Sequence, residues 1–173
     1  MTMKPAAFLI LGMAGFIASP SAGAAELMKG RCHMDYCSWF SIESRDLVGS
    51  NARGALFKVE LKGWTSHHPR GDYGKRSPRT GGETSTGYVF CSKKTPTAIW
   101  DEDAGHWSAA TLNLASPSGA EENAVIQYFA VCHGIQSGQD AQSSFESLAA
   151  RFGYGKIATD LKELKRPEEI LTE

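Results

Sequence analysis

Between Ala55 and Trp64 the chain alternates cleanly: Phe57, Val59 and Leu61 fall on one side, Lys58, Glu60 and Lys62 on the other. Successive strand side chains point to opposite faces, so this pattern predicts a strand with one dry and one wet face. Such strands belong to antiparallel sheets more readily than to parallel ones. Upstream, Phe40 and Ile42 alternate with Ser41 and Glu43, which predicts a partner strand from Cys37 to Val48. Gly49, Ser50, Asn51 and Gly54 supply the turn between them. Downstream, Tyr88–Cys91, Thr97–Trp100 and Trp107–Leu114 read as further strands, with an acidic turn at Asp101–Gly105.

The period changes after Leu114. Ser118 and Glu121 match a capping box. Val125, Tyr128, Phe129 and Cys132 then recur at helical spacing, and Gly134 suits the position after a helix end. The β-branched Val125, Ile126 and Val131 also fit a buried strand; helical spacing favours a helix over 118–132. Phe145, Leu148, Ala149 and Phe152 form an apolar stripe, predicting a second helix over 140–152 closed by Gly153. The fold expected is therefore α+β: an antiparallel sheet over about 37–114 with two C-terminal helices packed on it. Residues 25–155 form the single domain, and 156–173 read as a charged tail.

Two stretches escape this patterning. Residues 1–24 show Lys4, an apolar run from Ala6 to Ala18, a break at Pro20–Ser21 and small residues at Ala22-Gly23-Ala24. That is the layout of a signal peptide, too short in its apolar part to span a bilayer comfortably, with cleavage expected after Ala24 or Ala25. A periplasmic or secreted, non-spanning protein follows. The second stretch, 66–87, holds almost nothing apolar and reads as a long structureless loop. Such loops inside compact domains tend to be functional or disordered.

Composition adds the redox context. The chain has four cysteines, Cys32, Cys37, Cys91 and Cys132. An even number in an exported chain favours disulfides. Closing longer loops removes more freedom from the unfolded chain, which favours Cys37–Cys91 with Cys32–Cys132; Cys32–Cys37 with Cys91–Cys132 is the alternative. Charge is nearly balanced, with 18 Lys and Arg against 19 Asp and Glu. Bulk electrostatics therefore point to neither nucleic acid nor a membrane surface.

No phosphate loop, haem-attachment motif, Cys-x-x-Cys, Gly-x-Ser-x-Gly or His-Glu-x-x-His is present, so neither cofactor nor metal is expected. Cys32-His33 and Cys132-His133 invite a cysteine–histidine pair, but strand neighbours face opposite ways. Trp39, Trp64, Trp100 and Trp107 read first as core, second as lining of a cleft. The local concentration of recognition groups is in the loop: His67, His68, Arg70, Tyr73, Lys75, Arg76 and Arg79. Guanidinium groups grip carboxylates and phosphates bidentately, and Tyr73 adds a rigid amphipathic contact. The expected function is a non-catalytic periplasmic binding or inhibitor-type protein that meets a protein or an anionic envelope ligand through this basic loop. A cell-envelope hydrolase with a Cys–His or metal centre and a structural envelope-assembly component are the alternatives.

Overall fold

The computed structural model describes residues 25–103, 105–136 and 144–172. The expected leader over 1–24 and the first residues of the expected second helix, 140–143, lie outside them. The strands are β1 (Met28–His33), β2 (Tyr36–Asn51), β3 (Gly54–His67), β4 (Arg79–Ser92), β5 (Thr97–Asp103), β6 (His106–Thr111) and β7 (Asp160–Leu164). They form one seven-stranded sheet in simple sequence order, antiparallel at each pairing. Helices α1 (Glu122–His133) and α2 (Phe145–Arg151) fall between β6 and β7. The fold is α+β, as the change of period implied.

The sheet is longer than the sequence pattern suggested at both ends. Residues before Cys37, outside the expected sheet, form β1. Met34 and Asp35 both adopt positive φ, 49° and 65°, the backbone of the tight two-residue hairpin turn whose twist matches the flanking strands. That turn sets Cys32 opposite Cys37, and the two are bonded. The second disulfide joins Cys91 on β4 to Cys132 on α1. The favoured long-range pairing is thus corrected to the alternative. Loop-entropy reasoning had no view of the hairpin, which delivers the nearer partner directly.

The charged tail is also corrected: its middle is β7, and Pro167–Leu171 forms a closing 3-10 turn with Pro167 and Ile170 buried. This turn changes the sheet's cross-section. On the front face Val59, Val89, Leu112, Val125, Phe129 and Leu148 build the main core under the helices. On the back, Leu56, Phe90, Ile99, Ala109, Leu164 and Ile170 build a second one. The face of β3 expected to be wet is therefore dry at the Leu56 end. Asn51 and Arg53 hold the cover in place by donating to the carbonyls of Leu171 and Ile170, at 2.5 and 2.6 Å. The Asp101–Gly105 acidic turn is corrected as well, since β5 runs through Asp103.

α1 is fixed at both ends. The Glu121 carboxylate accepts from the Ser118 amide at 2.8 Å, one half of the expected box. Gly134 sits at φ 67°, closing the helix in the left-handed conformation. Near the start, Asn123 Oδ1 accepts from the Arg31 amide at 2.8 Å. That amide falls where the β1–β2 register shifts, so the helix satisfies a donor in the irregular stretch of β1. A side chain at Gly30 would begin 2.4 Å from that same Oδ1, so this approach requires glycine.

Candidate binding surfaces

The expected loop is mostly strand. β3 continues through His67 and β4 starts at Arg79, so the connection shrinks to residues 68–78. The reason is register: Glu60 to Lys62 pair with Thr86 to Thr84, and backbone ladders form regardless of apolar content. The seven recognition residues then separate into two groups.

His67, His68, Tyr73 and Arg79 are structural. His68 is 4% exposed. Its Nδ1 lies 3.1 Å from the Asp72 carbonyl, which accepts only, so Nδ1 carries the proton. Its Nε2 then accepts from Ser66 Oγ at 2.8 Å, and Ser66 Oγ accepts from Trp39 Nε1 at 2.7 Å. The Tyr73 hydroxyl accepts from the Asp35 amide at 3.2 Å, and the His68 amide donates to the Asp35 carbonyl at 2.6 Å. These bonds peg the loop to the β1–β2 turn. His67 stacks on Tyr36 at 4.7 Å between ring centres, and the Arg79 guanidinium lies 4.2 Å over the Trp39 ring.

Arg70, Lys75 and Arg76 remain at the surface. Lys75 pairs with Asp72 at 2.5 Å. Arg70 and Arg76 are exposed and have no ion-pair or hydrogen-bond partner among the described residues. With His67 and Ser77 they border a hollow of about 200 Å³. Arg70 sits at φ 71°, a left-handed conformation that costs a side-chain-bearing residue about 1–2 kcal/mol. Strain of this kind persists where surrounding structure over-determines it, and the His68 and Tyr73 pegs do so here.

A second surface was not singled out by the sequence reading. Between α1 and the front of the sheet runs a groove of about 590 Å³. Gly87, Ala98 and Ala110 keep its floor low, Trp100 and Ala124 stand on its sides, and Gln127 is at its edge. Trp100 is 38% exposed, and its Nε1 donates to Glu102 at 2.9 Å. A further hollow of about 570 Å³ continues past Leu61 and Ser85 to Ser38 and Thr65. Trp100 and Trp107 line the groove, and Trp39 and Trp64 the further hollow, so all four border the clefts of the alternative reading. Trp107 packs edge-on against Tyr88 beside the second core, and Trp39 and Trp64 are half-buried under cations. The missed signal was the run of small residues at facing strand positions, which no single-strand pattern reveals.

No protein family, curated protein or solved structure matches this chain.

All four cysteines are bonded, so no thiolate is available to a Cys–His pair. The two disulfides suit a protein that matures in an oxidising compartment. Among the described residues no group of three His, Cys, Asp or Glu is placed to hold a metal, and no helix is long and apolar enough to cross a membrane. His133 serves a buried network instead. Its Nε2 lies 2.8 Å from the Tyr154 hydroxyl, which is 3.0 Å from the Tyr128 hydroxyl. Tyr128 donates to the Ser92 carbonyl at 3.0 Å and accepts from the Ser92 amide at 3.1 Å. Since the Tyr128 proton goes to Ser92, Tyr154 donates to Tyr128 and His133 donates to Tyr154 when every bond is made. Burial pushes the Tyr128 hydroxyl far above its ordinary pKa. Burial raises Tyr154 too. Both remain protonated donors. Phe152 stacks on His133 at 4.0 Å, and Lys93 caps the Tyr154 ring at 4.3 Å.

Proposed function

We propose that this is an exported, non-catalytic periplasmic binding or inhibitor-type protein, delivered by its N-terminal signal peptide, whose contact surface is the basic loop 68–78. The observation that carries the reading is Arg70: a strained, exposed guanidinium without an ion-pair or hydrogen-bond partner among the described residues, on a loop pegged by buried hydrogen bonds. Preorganised charge on a rigid support raises affinity by lowering the ordering cost of binding. The ligand chemistry that fits is a carboxylate or phosphate, gripped by Arg70 and Arg76 with Lys75 beside them.

Affinity for immobilised poly-glutamate and for a phosphoserine peptide tests this. Arg70→Ala with Arg76→Ala is expected to weaken retention at least tenfold. Lys94→Ala with Lys156→Ala removes the same charge from exposed sites elsewhere and is expected to change retention less than twofold. Equal losses in the two double variants would reduce the loop to generic surface charge. Arg70→Gly is expected to lose affinity while the folded state gains up to ~1 kcal/mol, because glycine accepts positive φ freely.

A further inference from the structure

We infer a second binding site of opposite character: the front groove takes an extended basic peptide, which adds as a strand to the free edge of β4. The sheet is staggered. β5 pairs with β4 only from Gly87 to Phe90, whereas β3 pairs with it from Arg79 to Ser92. Among the described residues, β4 therefore has a ladder on one side only from Arg79 to Thr86, and nearly all of those residues are exposed. Unpaired strand edges are templates for another chain.

The other edges are guarded: β1 is six residues long, carries Lys29 and Arg31, and has a register shift between Lys29 and Cys32. β2 beyond Phe40 is interrupted by register shifts after Ile42 and after Leu47. β7 is five residues long and mostly charged. On β4 the shift falls at Gly81–Gly82, and Glu83 to Thr86 keep regular register with Gly63 to Glu60. Bulges and charges are the usual means of blunting an edge; on the β4 side, the four residues Glu83 to Thr86 carry a single charge.

The occupant's chemistry follows from the lining. Among the described residues, the groove under α1 is bordered by the carboxylate residues Asp101 and Glu121 and by no lysine, arginine or histidine, whereas in the further hollow Glu83 shares the lining with Trp39 and Trp64, over which Arg79 and Lys62 lie. The acidic rim of the partly enclosed groove under α1 selects a cation. Trp100 adds an exposed indole on which an ammonium or guanidinium can rest. The floor of Val59, Gly87, Ala98 and Ala110 suits an aliphatic side chain between two basic ones. Side chains of an added strand alternate faces, so basic, apolar and basic residues at every second position would all enter the groove.

The probe is a capped heptapeptide, Thr-Lys-Thr-Val-Thr-Lys-Thr, titrated against the full chain by calorimetry. Saturable binding is expected at one site per chain. Affinity is expected to fall at least tenfold for Thr-Glu-Thr-Val-Thr-Glu-Thr and for Trp100→Ala. It is expected to fall several-fold for Asp101→Asn with Glu121→Gln. Methylating alternate backbone amides of the lysine peptide leaves its charge intact and removes strand donors; in whichever frame those donors face β4, binding is expected to be lost. Arg70→Ala with Arg76→Ala is expected to leave peptide affinity unchanged, which separates this site from the basic loop. Unaltered binding of both methylation frames would overturn strand addition, and so would unaltered binding to Trp100→Ala. Self-association of the chain that the lysine peptide fails to disperse would instead assign the edge to a second copy and overturn the proposal. Should Trp100→Ala fail to fold, the methylated peptides still decide.

Discussion

Two histidines next to chemically suggestive neighbours turn out to serve the fold. His68 relays hydrogen bonds from Trp39 through Ser66 to the Asp72 carbonyl. His133 ends a chain of hydroxyls that ties α1 and the segment after α2 to the end of β4. Burial, with the nearby Lys93 charge adding to it, holds His133 below its ordinary pKa of 6.5. The folded state therefore resists protonating this imidazole while the unfolded chain accepts the proton. Its contribution is complete above about pH 6.5 and is lost as pH falls from there through the lower folded value. Thermal melts from pH 8 to pH 4 are expected to show a lower midpoint in the acid range. His133→Gln, which keeps a group able to donate to Tyr154 without titrating, is expected to reduce that acid loss. An identical pH profile in the variant would show that other groups control it.

At the scale of elements, the two disulfides do different jobs. Cys32–Cys37 closes a hairpin already in register, with a sequence separation of 5; Cys91–Cys132 ties sheet to helix across 41. Loop-closure entropy assigns about 2 kcal/mol to the first and about 4 kcal/mol to the second. Chemical denaturation of Cys32→Ala with Cys37→Ala and of Cys91→Ala with Cys132→Ala is expected to show that order, and the reverse order would place the stability of the fold in the hairpin. Much of this architecture was legible in the sequence. Phe57, Val59 and Leu61 announced β3, and the stripe from Val125 to Phe129 announced α1 under Gly134. What escaped notice shares one cause. β1, the Arg79–Thr86 half of β4 and β7 have polar or charged sequences and are strands because a neighbour supplies their ladder. The back core was hidden likewise, since Leu56 and Phe90 are covered by a turn more than seventy residues further along.

At the scale of the molecule, the β3–β4 hairpin extends past β5 and carries both proposed surfaces. Its tip holds exposed arginines on a pegged loop, and its free edge borders a carboxylate-rimmed groove. Neither surface uses the sulfur atoms, which are consumed in bracing the sheet. In the candidate set, Arg70, Lys75 and Arg76 were recognisable from residue type, whereas the supporting roles of His68, Tyr73 and Arg79 depend on partners distant in sequence: Ser66 is near, but Asp35 and Trp39 lie on another strand pair. The groove depends on small residues meeting across strands, and so no local pattern displayed it.

The most direct measurement is a backbone-amide NMR titration of the oxidised protein with a phosphoserine-containing acidic peptide. Shift changes concentrated in residues 67–77, saturating together and absent in Arg70→Ala with Arg76→Ala, are expected if the pegged arginine loop is the contact surface. Saturable changes centred elsewhere, or none in the loop at millimolar peptide, would contradict it.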